Sequence, residues 1–370
     1  MKSRTAQGAK MLAGRYYTDE AILKKEQARI FERSWLYVER VQAIPIGGYV
    51  LREVMGENLL LMRDTEGEVR VFYNVCRHRG ARVCREEGGE IGAGVRCSYH
   101  AWTYGADGRL LGAPNMHEVA GFRREDYGLV GVATAVWEGF VFINFADEPQ
   151  PFREAYAPLW DKFKAWELPS LVSVHQTVYE VKANWKLLFQ NYSECYHCPT
   201  VHPVLNKLTP YRDSYNDLEE GPFLGGPMLM AGGAGSSMTM SGRLCALPLA
   251  GVAGEQLGLV YYYTLMPRMF LSLHPDYVLV HRGEVLGVDR TRVVCEWLFA
   301  PEAVAEADFD PSGAIEFWDM TNRQDWELCE ISQAGVGSRG YRPGPYAELE
   351  SQLAAFDREY LRIMEEVDDG

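Results

Sequence analysis

Residues 76–104 read CRHRGARVCREEGGEIGAGVRCSYHAWTY, and this stretch decides how the first part of the chain folds. It contains two short pairs of metal-ligand residues, Cys76 with His78 and Cys97 with His100. Each pair fits into a tight loop, so two loops can grip a metal centre between them. Two Cys and two His also form a common zinc ligand set, and the spacing alone does not exclude zinc. The pattern therefore predicts a metal centre and leaves its kind open.

The residues that follow each pair indicate the kind of centre. Arg79 and Gly80 follow the first pair, and Trp102 and Tyr104 follow the second, whereas zinc folds do not require these residues. With them, the stretch resembles the Rieske [2Fe–2S] signature, in which two Cys bind one iron and two His bind the other. The resemblance implies that four residues bind such a cluster: Cys76, His78, Cys97 and His100.

A second cluster of ligand-type residues lies at 191–203, which reads NYSECYHCPTVHP. Glu194 and His197 are three residues apart and would share one face of a helix. Pro199 disfavours helix at the residue before it, so we expect the chain to bend before His202. Two imidazoles brought together across such a bend suit the facial triad of two His and one carboxylate that holds Fe(II).

Other interpretations of this stretch stay open on its residues alone. Two His close in sequence are often ordinary surface or core residues. Cys195 and Cys198, spaced C-x2-C, are compatible with zinc or with a dithiol couple. No other Cys pair accompanies them, and the first cluster already accounts for a redox cofactor. We therefore interpret both Cys as packing residues.

Taken together, the two clusters resemble the Rieske non-haem iron oxygenases, in particular the α subunits of ring-hydroxylating oxygenases. The family pattern is N-W-K followed by N-x2-(D/E)-x2-H-x4-H-P, and residues 184–186 and 191–203 match it. The resemblance runs from the N-terminal helix to at least residue 340. It implies a mononuclear Fe(II) site with ligand or catalytic roles for Asn191, Glu194, His197 and His202.

The third iron ligand of that family is an Asp on a helix far downstream. The candidate here is Asp325, within WDMTNRQDWELCEISQAG at 318–335, which has an apolar, aromatic face and resembles the family's helix. Four other acidic residues compete as ordinary solvated helix charges: Glu316, Asp319, Glu327 and Glu330.

The order of predicted helices and strands along the chain indicates an α+β protein in three segments. Residues 1–40 form a helical segment that packs on the catalytic domain, and residues 41–150 form a small antiparallel-β Rieske domain. Residues 151–370 form a larger catalytic domain, an antiparallel sheet covered by helices. Within it we expect a helix at 153–166 and a long Gly/Ser/Ala-rich loop or lid at 221–256.

Composition limits the partners and the compartment. The 370 residues carry a net charge of −14, which argues against nucleic acid or an anionic membrane as the main partner. No apolar run is long enough to span a membrane, and no secretory signal is evident at the N-terminus. Eight Cys at irregular spacings do not suggest a disulfide framework, so we expect a reducing cytoplasm. Cys84, outside the ligand pattern, is interpreted as a buried thiol.

The resemblance implies a terminal oxygenase that uses O2 and electrons from a separate NAD(P)H reductase, with or without a ferredoxin. No Gly-rich dinucleotide fingerprint follows a strand, which agrees with a reductase on another chain. The resemblance further implies a head-to-tail homotrimer. There, Glu194 would lie between His100 of one chain and His197 of the next, linking the cluster of one subunit to the iron of its neighbour.

The substrate is first expected to be a small aromatic or otherwise apolar compound that is hydroxylated, dioxygenated or demethylated. Glu194 departs from the Asp that most aromatic-ring dioxygenases carry, and it resembles the branch that acts on carnitine, glycine betaine and stachydrine as α3 trimers without a β subunit. The alternative is therefore a quaternary ammonium monooxygenase. Rivals of other classes are a Rieske electron carrier without oxygenase activity and a zinc-stabilised binding module. Aromatic residues on strands expected to wall the pocket, of which about half would be ordinary core, are Tyr261, Tyr262, Tyr263, Phe270 and Trp297.

Overall fold

The structure is a computed structural model that describes residues 7–365. These residues form two compact units, which we call the larger and the smaller unit. The smaller unit is Glu32–Ala155, and the larger unit contains the described residues up to Phe31 and from Tyr156 onward. Leu36–Arg40, which the sequence assigned to the N-terminal segment, is a strand of the smaller unit's sheet. The outer ends of the predicted segments, at 1 and 370, lie outside the described residues.

The smaller unit is built from antiparallel strands, as the alternating pattern predicted. A seven-stranded sheet has the order β1-β10-β9-β4-β3-β2-β5, and a separate three-stranded sheet has the order β6-β7-β8. The strands are β1 Leu36–Arg40, β2 Gly48–Val54, β3 Glu57–Arg63, β4 Val69–Tyr73, β5 Gly88–Glu90, β6 Val95–Arg96, β7 Thr103–Tyr104, β8 Leu110–Gly112, β9 Gly131–Trp137 and β10 Phe140–Asn144.

The run AVWEGFVFINF shows how sequence sets this fold locally. It forms the hairpin of β9 and β10, in which Trp137 pairs with Phe140. The two residues between the strands, Glu138 and Gly139, have positive φ angles of 50° and 76°. A two-residue turn with both φ positive matches the twist of the strands that it joins.

The larger unit contains one six-stranded antiparallel sheet with the order β11-β16-β15-β14-β13-β12. The strands are β11 Val172–Val181, β12 Phe223–Leu229, β13 Leu259–Leu265, β14 Met269–Leu273, β15 Val278–Gly287 and β16 Arg290–Phe299. An α+β fold with an antiparallel sheet and accompanying helices is thereby confirmed. The α-helices of residues 7–365 are α1 Arg15–Thr18, α2 Glu20–Glu26, α3 Phe152–Ala155, α4 Trp185–Tyr192, α5 Cys198–Val201, α6 Pro203–Leu208, α7 Pro301–Val304, α8 Ser312–Val336 and α9 Ser351–Glu365.

Helix α4, which leads into the candidate iron site, begins where the sequence predicted. The side chain of Asn184 accepts a hydrogen bond from the Lys186 amide (3.1 Å) and caps the helix. Lys186 is fully buried, and its Nζ lies 2.5 Å from Oε1 of Glu26, the last residue of α2. This buried ion pair connects α2 to α4, the helix that leads into the candidate iron site.

Two predictions for the larger unit are wrong. The expected helix at 153–166 is reduced to α3 and short 3₁₀ turns, because Pro158 lacks the amide hydrogen that a continuing helix needs and Asp161 adopts a left-handed φ of 62°. The second prediction is wrong only at its start: within the expected loop at 221–256, Phe223–Leu229 forms strand β12, whereas 230–253 contains no helix or strand. At Gly225 (φ +145°), an added Cβ would lie 2.1 Å from the carbonyl oxygen of Tyr262, so only glycine allows the two strands to approach.

Among residues 7–365, no helix is both long enough and apolar enough to cross a bilayer.

Candidate metal centres

The four predicted cluster ligands lie on two loops of the smaller unit that fold alike. The amide of Gly80 donates to the carbonyl of Cys76 (2.9 Å), and the amide of Ala101 donates to the carbonyl of Cys97 (3.0 Å). Both closing residues have positive φ, 73° at Gly80 and 57° at Ala101. Each loop therefore curls around the Cys that opens it, and a non-glycine residue in this region is a mark of a specialised loop.

The two His of these loops face each other. The rings of His78 and His100 lie 4.5 Å apart between centroids, and Trp102 stacks on His78 at 4.9 Å. Nδ1 of His78 is buried and has no hydrogen-bond partner in the described part of the chain. Burial first, and then His100 and Arg79, lower the pKa of His78, so its imidazole is neutral. A neutral ring with an unpaired buried nitrogen fits a metal ligand.

The cysteines of the two loops are almost completely buried, and both are free. The hydroxyl of Tyr104 lies 3.3 Å from Sγ of Cys76 and accepts a hydrogen bond from the amide of Arg77 (3.0 Å). Burial raises the pKa of the Cys97 thiol, and a bound iron would reverse this effect by stabilising the thiolate. Cys84 is a buried free thiol, as predicted.

In the larger unit, the stretch after α4 folds differently from the prediction. Helix α4 ends at Tyr192 and α5 begins at Cys198, so Glu194 and His197 lie on a loop rather than on one helix face. They still meet, because the Glu194 carboxylate accepts the amide hydrogens of Tyr196 and His197 and turns the loop. As a result, Oε1 of Glu194 lies 2.5 Å from Nδ1 of His197.

The expected bend before His202 also takes another form. Pro199 stands in the first turn of α5, where its missing amide hydrogen costs no helix hydrogen bond, so Cys198 is helical. The chain turns at His202 itself, whose φ of −117° and ψ of 65° separate α5 from α6.

The structure brings His197, His202 and Asp325 together. Nε2 of His202 lies 3.2 Å from Nε2 of His197 and 2.8 Å from Oδ1 of Asp325, and the third distance, His197 to Asp325, is 3.3 Å. Two ligands at right angles, with bonds of about 2.1 Å, would lie about 3.0 Å apart. The three atoms thus form a triangle that fits one face of an octahedron around a single ion.

The charges of this triangle favour a cation at its centre. Burial opposes protonation of His197, but its hydrogen bonds with Asp325 and Glu194 outweigh this and raise its pKa to about 10. Although burial acts in the opposite direction, the two imidazoles hold the pKa of Asp325 below its ordinary value. The raised pKa of His197 means that Asp325 and Glu194 stabilise a positive charge beside them, and a bound divalent iron would take the place of that proton.

Gln324 orients one of the rings, and no spacing pattern in the sequence indicated this residue. Oε1 of Gln324 lies 2.7 Å from Nδ1 of His202, so that this nitrogen donates the hydrogen bond and Nε2 is left as the ligand atom. The acidic residues that compete with Asp325 lie away from the triangle. Asp319 bonds Tyr179 and Arg323, Glu330 accepts from the Lys182 amide, and the other two are exposed: Glu316 and Glu327.

A pocket opens beside the triangle, and five Tyr and Trp residues line it: Tyr192, Tyr196, Tyr211, Tyr262 and Trp318. Three of them pack together, because the ring of Tyr262 lies between those of Tyr192 and Trp318, with centroid distances of 6.1 Å and 6.0 Å, both edge to face. The sequence missed Trp318, although it precedes Asp325 by seven residues, two turns along the same face of α8. Asn191, predicted to be catalytic, also lines this pocket.

Of the five aromatic residues expected to wall the pocket, only Tyr262 lines it. Tyr261 and Tyr263 precede and follow it on β13, so they point to the other sheet face, where they pack on Trp166 and Phe163. Two others are core residues: Phe270, stacked on Tyr192 at 4.6 Å, and Trp297, packed against His175.

Cys195 and Cys198 are not simple packing residues. They form a disulfide, with an S–S distance of 1.97 Å, because the turn made by Glu194 brings their Cα atoms to 4.9 Å. The disulfide closes a short loop that contains His197 and that Glu194 directly precedes, and both cysteines line the pocket.

Comparison with known proteins agrees with both centres. Residues 168–366 match the family of the ring-hydroxylating α subunit (catalytic domain), and residues 34–123 match the Rieske [2Fe–2S] domain. The chain belongs to the Rieske non-haem iron oxygenase α subunits. It is 33% identical to the glycine betaine monooxygenase oxygenase subunit of Chromohalobacter salexigens, over 93% of this chain and 83% of that protein.

This α subunit is also similar to other relatives and to solved structures. The carnitine monooxygenase oxygenase subunit of Escherichia coli is 34% identical over 53% of each chain. A crystal structure of the quaternary ammonium Rieske monooxygenase CntA with L-carnitine has a TM-score of 0.78 at 24% identity, covering 96% of both chains. Naphthalene 1,2-dioxygenase from Rhodococcus sp. has a TM-score of 0.74 at 19% identity, covering 95% of this chain and 94% of that one. These structures show the shared fold.

Family membership decides the general chemistry. This α subunit is an oxidoreductase, the terminal oxygenase of a Rieske system that receives electrons from a separate reductase, and its cofactors are a [2Fe–2S] cluster and a mononuclear iron. The rival interpretations as a zinc-stabilised module or as a simple electron carrier are set aside.

Proposed function

We propose that this α subunit oxygenates a small quaternary ammonium compound at a carbon next to its nitrogen. This is the alternative substrate class of the sequence analysis, and it replaces the aromatic substrate that was expected first. The glycine betaine and carnitine monooxygenase subunits among its relatives support the proposal, because they match this chain at 32–34% identity. Biphenyl 2,3-dioxygenase subunit alpha of Rhodococcus jostii is 31% identical over 66% of this chain, a smaller share than the 93% that the glycine betaine monooxygenase subunit of Chromohalobacter salexigens matches.

The observation that carries the proposal is the group of three rings beside the iron triangle. Trp318, Tyr262 and Tyr192 line the pocket that also contains Asp325 and Glu194. Aromatic faces attract a methylated ammonium through their quadrupole, and Trp does so most strongly. Burial raises the pKa of Tyr262 well above its ordinary value, so its ring stays a neutral phenol. Glu194 and Asp325 would balance the charge of a bound Fe(II), so that the iron does not repel a cationic substrate.

We propose that His197, His202 and Asp325 hold the iron, which would activate O2 when bound. Cys76, Cys97, His78 and His100 would hold the [2Fe–2S] cluster. The chain itself would bind the ammonium group on the rings, orient its methyl groups toward the triangle and exclude water with the apolar side chains around the pocket. The Glu194 carboxylate would accept a hydrogen bond from Nδ1–H of His197 and would keep Nε2 of the same ring directed at the metal.

The reaction balances with two electrons from NAD(P)H. One oxygen atom enters a C–H bond next to nitrogen, the other leaves as water, and two protons are taken up. The resulting carbinol then breaks its C–N bond and releases a tertiary amine, an aldehyde and one proton. If a methyl group is hydroxylated, the aldehyde is formaldehyde.

We further propose a cytoplasmic homotrimer without a β subunit, in which Glu194 connects His197 to the cluster-binding His100 of the neighbouring subunit. The Glu194 side chain supports this proposal because it is still 10% exposed while its Oε1 contacts Nδ1 of His197, the proposed iron ligand. Sedimentation of the iron-loaded protein would give the oligomeric state, and a monomer would contradict this part of the proposal.

The experiment for the substrate is a turnover assay of the iron-loaded protein with a surrogate reductase and NADH. Substrates are offered in matched pairs, a quaternary ammonium compound and its analogue with carbon in place of nitrogen, together with substituted aromatics. Products are identified by mass spectrometry, and formaldehyde is measured. We expect oxygenation of the ammonium member of each pair. Oxygen inserted only into the aromatics would overturn the proposal.

A further inference from the structure

Two buried polar groups in the pocket have no partner. Gln352, the second residue of α9, is 7% exposed, and its Nε2 makes no hydrogen bond to the described residues. The hydroxyl of Tyr262 is likewise buried and unpaired within residues 7–365. Both side chains line the pocket. A buried donor without an acceptor is destabilising, so groups of this kind are expected to find a partner in a ligand or an ordered water.

The other side chains around the pocket determine which ligand fits. Among the described residues that line it, there is no Lys and no Arg, whereas there are two carboxylates, Glu194 and Asp325. Arg212 follows the lining residue Tyr211, but it is exposed and donates its Nε hydrogen to the Tyr211 hydroxyl (2.8 Å). The remaining polar lining is uncharged: Asn191, Ser193, Ser214, Asn216, Thr264 and Thr321.

Apart from the proposed iron site with its two His ligands, a substrate carboxylate would find no cationic group in this pocket. Moving an anion from water into a buried site without a counter-charge is costly, and Glu194 and Asp325 would already balance the two positive charges of a bound Fe(II). An uncharged acceptor, such as a hydroxyl, an ester or an amide, loses much less hydration. It also satisfies both Gln352 and Tyr262.

We propose that Gln352 and Tyr262 recognise an uncharged hydrogen-bond acceptor on the substrate, and that the preferred substrate is a monocation rather than a betaine with a carboxylate. This inference rests on the proposed ammonium chemistry and names the subclass. The ammonium end contacts the aromatic rings near the iron triangle, and the acceptor end is held by the Nε2 hydrogens of Gln352 and the hydroxyl of Tyr262.

The test compares two compounds that differ in one group. Glycine betaine carries a carboxylate, and betaine amide carries an uncharged carboxamide of nearly the same shape. Their binding to the iron-loaded protein is measured by calorimetry, and their turnover is measured with a surrogate reductase. We expect betaine amide to bind at least about tenfold more tightly than glycine betaine. Equal or tighter binding of glycine betaine would overturn the inference.

Variants assign the effect to the two donors. Gln352→Leu and Tyr262→Phe remove one donor each, and each should weaken the binding of betaine amide by about three- to tenfold, the effect of one neutral hydrogen bond. Gln352→Lys supplies the missing cation and should shift the preference toward glycine betaine by at least about tenfold. If Gln352→Leu leaves the binding of betaine amide unchanged, Gln352 is not the recognition residue.

The outcomes separate this inference from the proposed function. If both compounds are oxygenated and glycine betaine is preferred, the subclass is wrong while the ammonium chemistry stands. If neither compound binds and only aromatics are oxygenated, the proposed function itself fails. The near-ultraviolet and visible spectra of each variant report whether the fold and the cluster are intact.

Discussion

Oε1 of Glu194 lies 2.5 Å from Nδ1 of His197, while Nε2 of the same ring faces His202 and Asp325. One imidazole is therefore held by a carboxylate on each side. Glu194, outside the triangle, fixes the ring and its tautomer, and Asp325, inside the triangle, would share the proposed iron with His197. Glu194 is thus placed to affect the iron without being one of its ligands.

The first prediction concerns this outer carboxylate. Glu194→Gln keeps the size of the side chain but removes its charge and weakens its hold on Nδ1. We expect about a 10- to 100-fold loss in turnover, as is typical when the partner of a metal-bound imidazole is removed. Iron content and cluster absorbance should stay normal. Stopped-flow reoxidation of the reduced cluster measures the step. Glu327→Gln, on an exposed position of α8, is the control, and equal rates in both variants would contradict the assigned role.

The second prediction concerns iron binding. Asp325→Ala removes one of three ligand atoms, so we expect the iron content to fall from about three to about two atoms per chain, with the [2Fe–2S] spectrum unchanged. Asp319→Ala, six residues earlier on α8, is the matched control, because its carboxylate bonds Tyr179 and Arg323 and should leave the iron content normal. Iron loss in both variants would mean that helix packing, rather than ligation, is measured.

The candidate metal ligands could be singled out from the sequence because coordination favours particular residue types at His197 and His202, and because the helix of Asp325 resembles that of the family. The structure brings the three residues together, although they come from a loop, a helix junction and a distant helix. The backbone conformation that brings these side chains together could not be predicted. The Glu194 turn depends on a side chain bonding the amides of Tyr196 and His197, a local alternative to helix that the spacing does not reveal.

The pocket walls were harder to predict than the ligands. Tyr261, Tyr262 and Tyr263 are consecutive, and the sequence does not say which phase of the strand faces the pocket, because that is set by pairing with β12 and β14. Gln352 comes from the C-terminal helix, about 160 residues from Glu194 in sequence, so only the tertiary fold brings it to the pocket.

The third prediction concerns the aromatic rings. Trp318→Leu removes an aromatic face from the pocket, whereas Trp318→Phe keeps one but loses the indole hydrogen bond to Tyr277 (2.7 Å). We expect the Leu variant to weaken ammonium binding by about 0.5–2 kcal/mol, about 2- to 30-fold, and the Phe variant to weaken it less. The analogue with carbon in place of nitrogen should show no such difference between the variants. Calorimetry of the iron-loaded proteins measures this, and equal losses for both ligands would indicate packing alone.

The fourth prediction concerns pH and the buried carboxyl of Asp357 on α9. Its oxygens accept hydrogen bonds from Gln190 Nε2 and the Tyr346 hydroxyl, both at 2.7 Å. Burial nevertheless raises its pKa to about 7, against the opposing effect of these bonds and of nearby Lys186. The folded state therefore binds more protons than the unfolded state between about pH 4 and pH 7, and stability falls as pH rises through this range.

Between pH 5 and pH 8, this group alone should lower the free energy of unfolding by about 2–3 kcal/mol. Asp357→Asn keeps an acceptor and cannot ionise, so its urea midpoint should decline less over the same range. Asp308→Asn, at an exposed site, controls for the loss of one charge and should follow the unsubstituted protein. If Asp357→Asn shows the full decline, another group carries the pH dependence. Lys186 is not a candidate for that group: burial lowers its pKa, because its partner Glu26 offsets burial only in part, and a lowered amine pKa makes stability rise with pH.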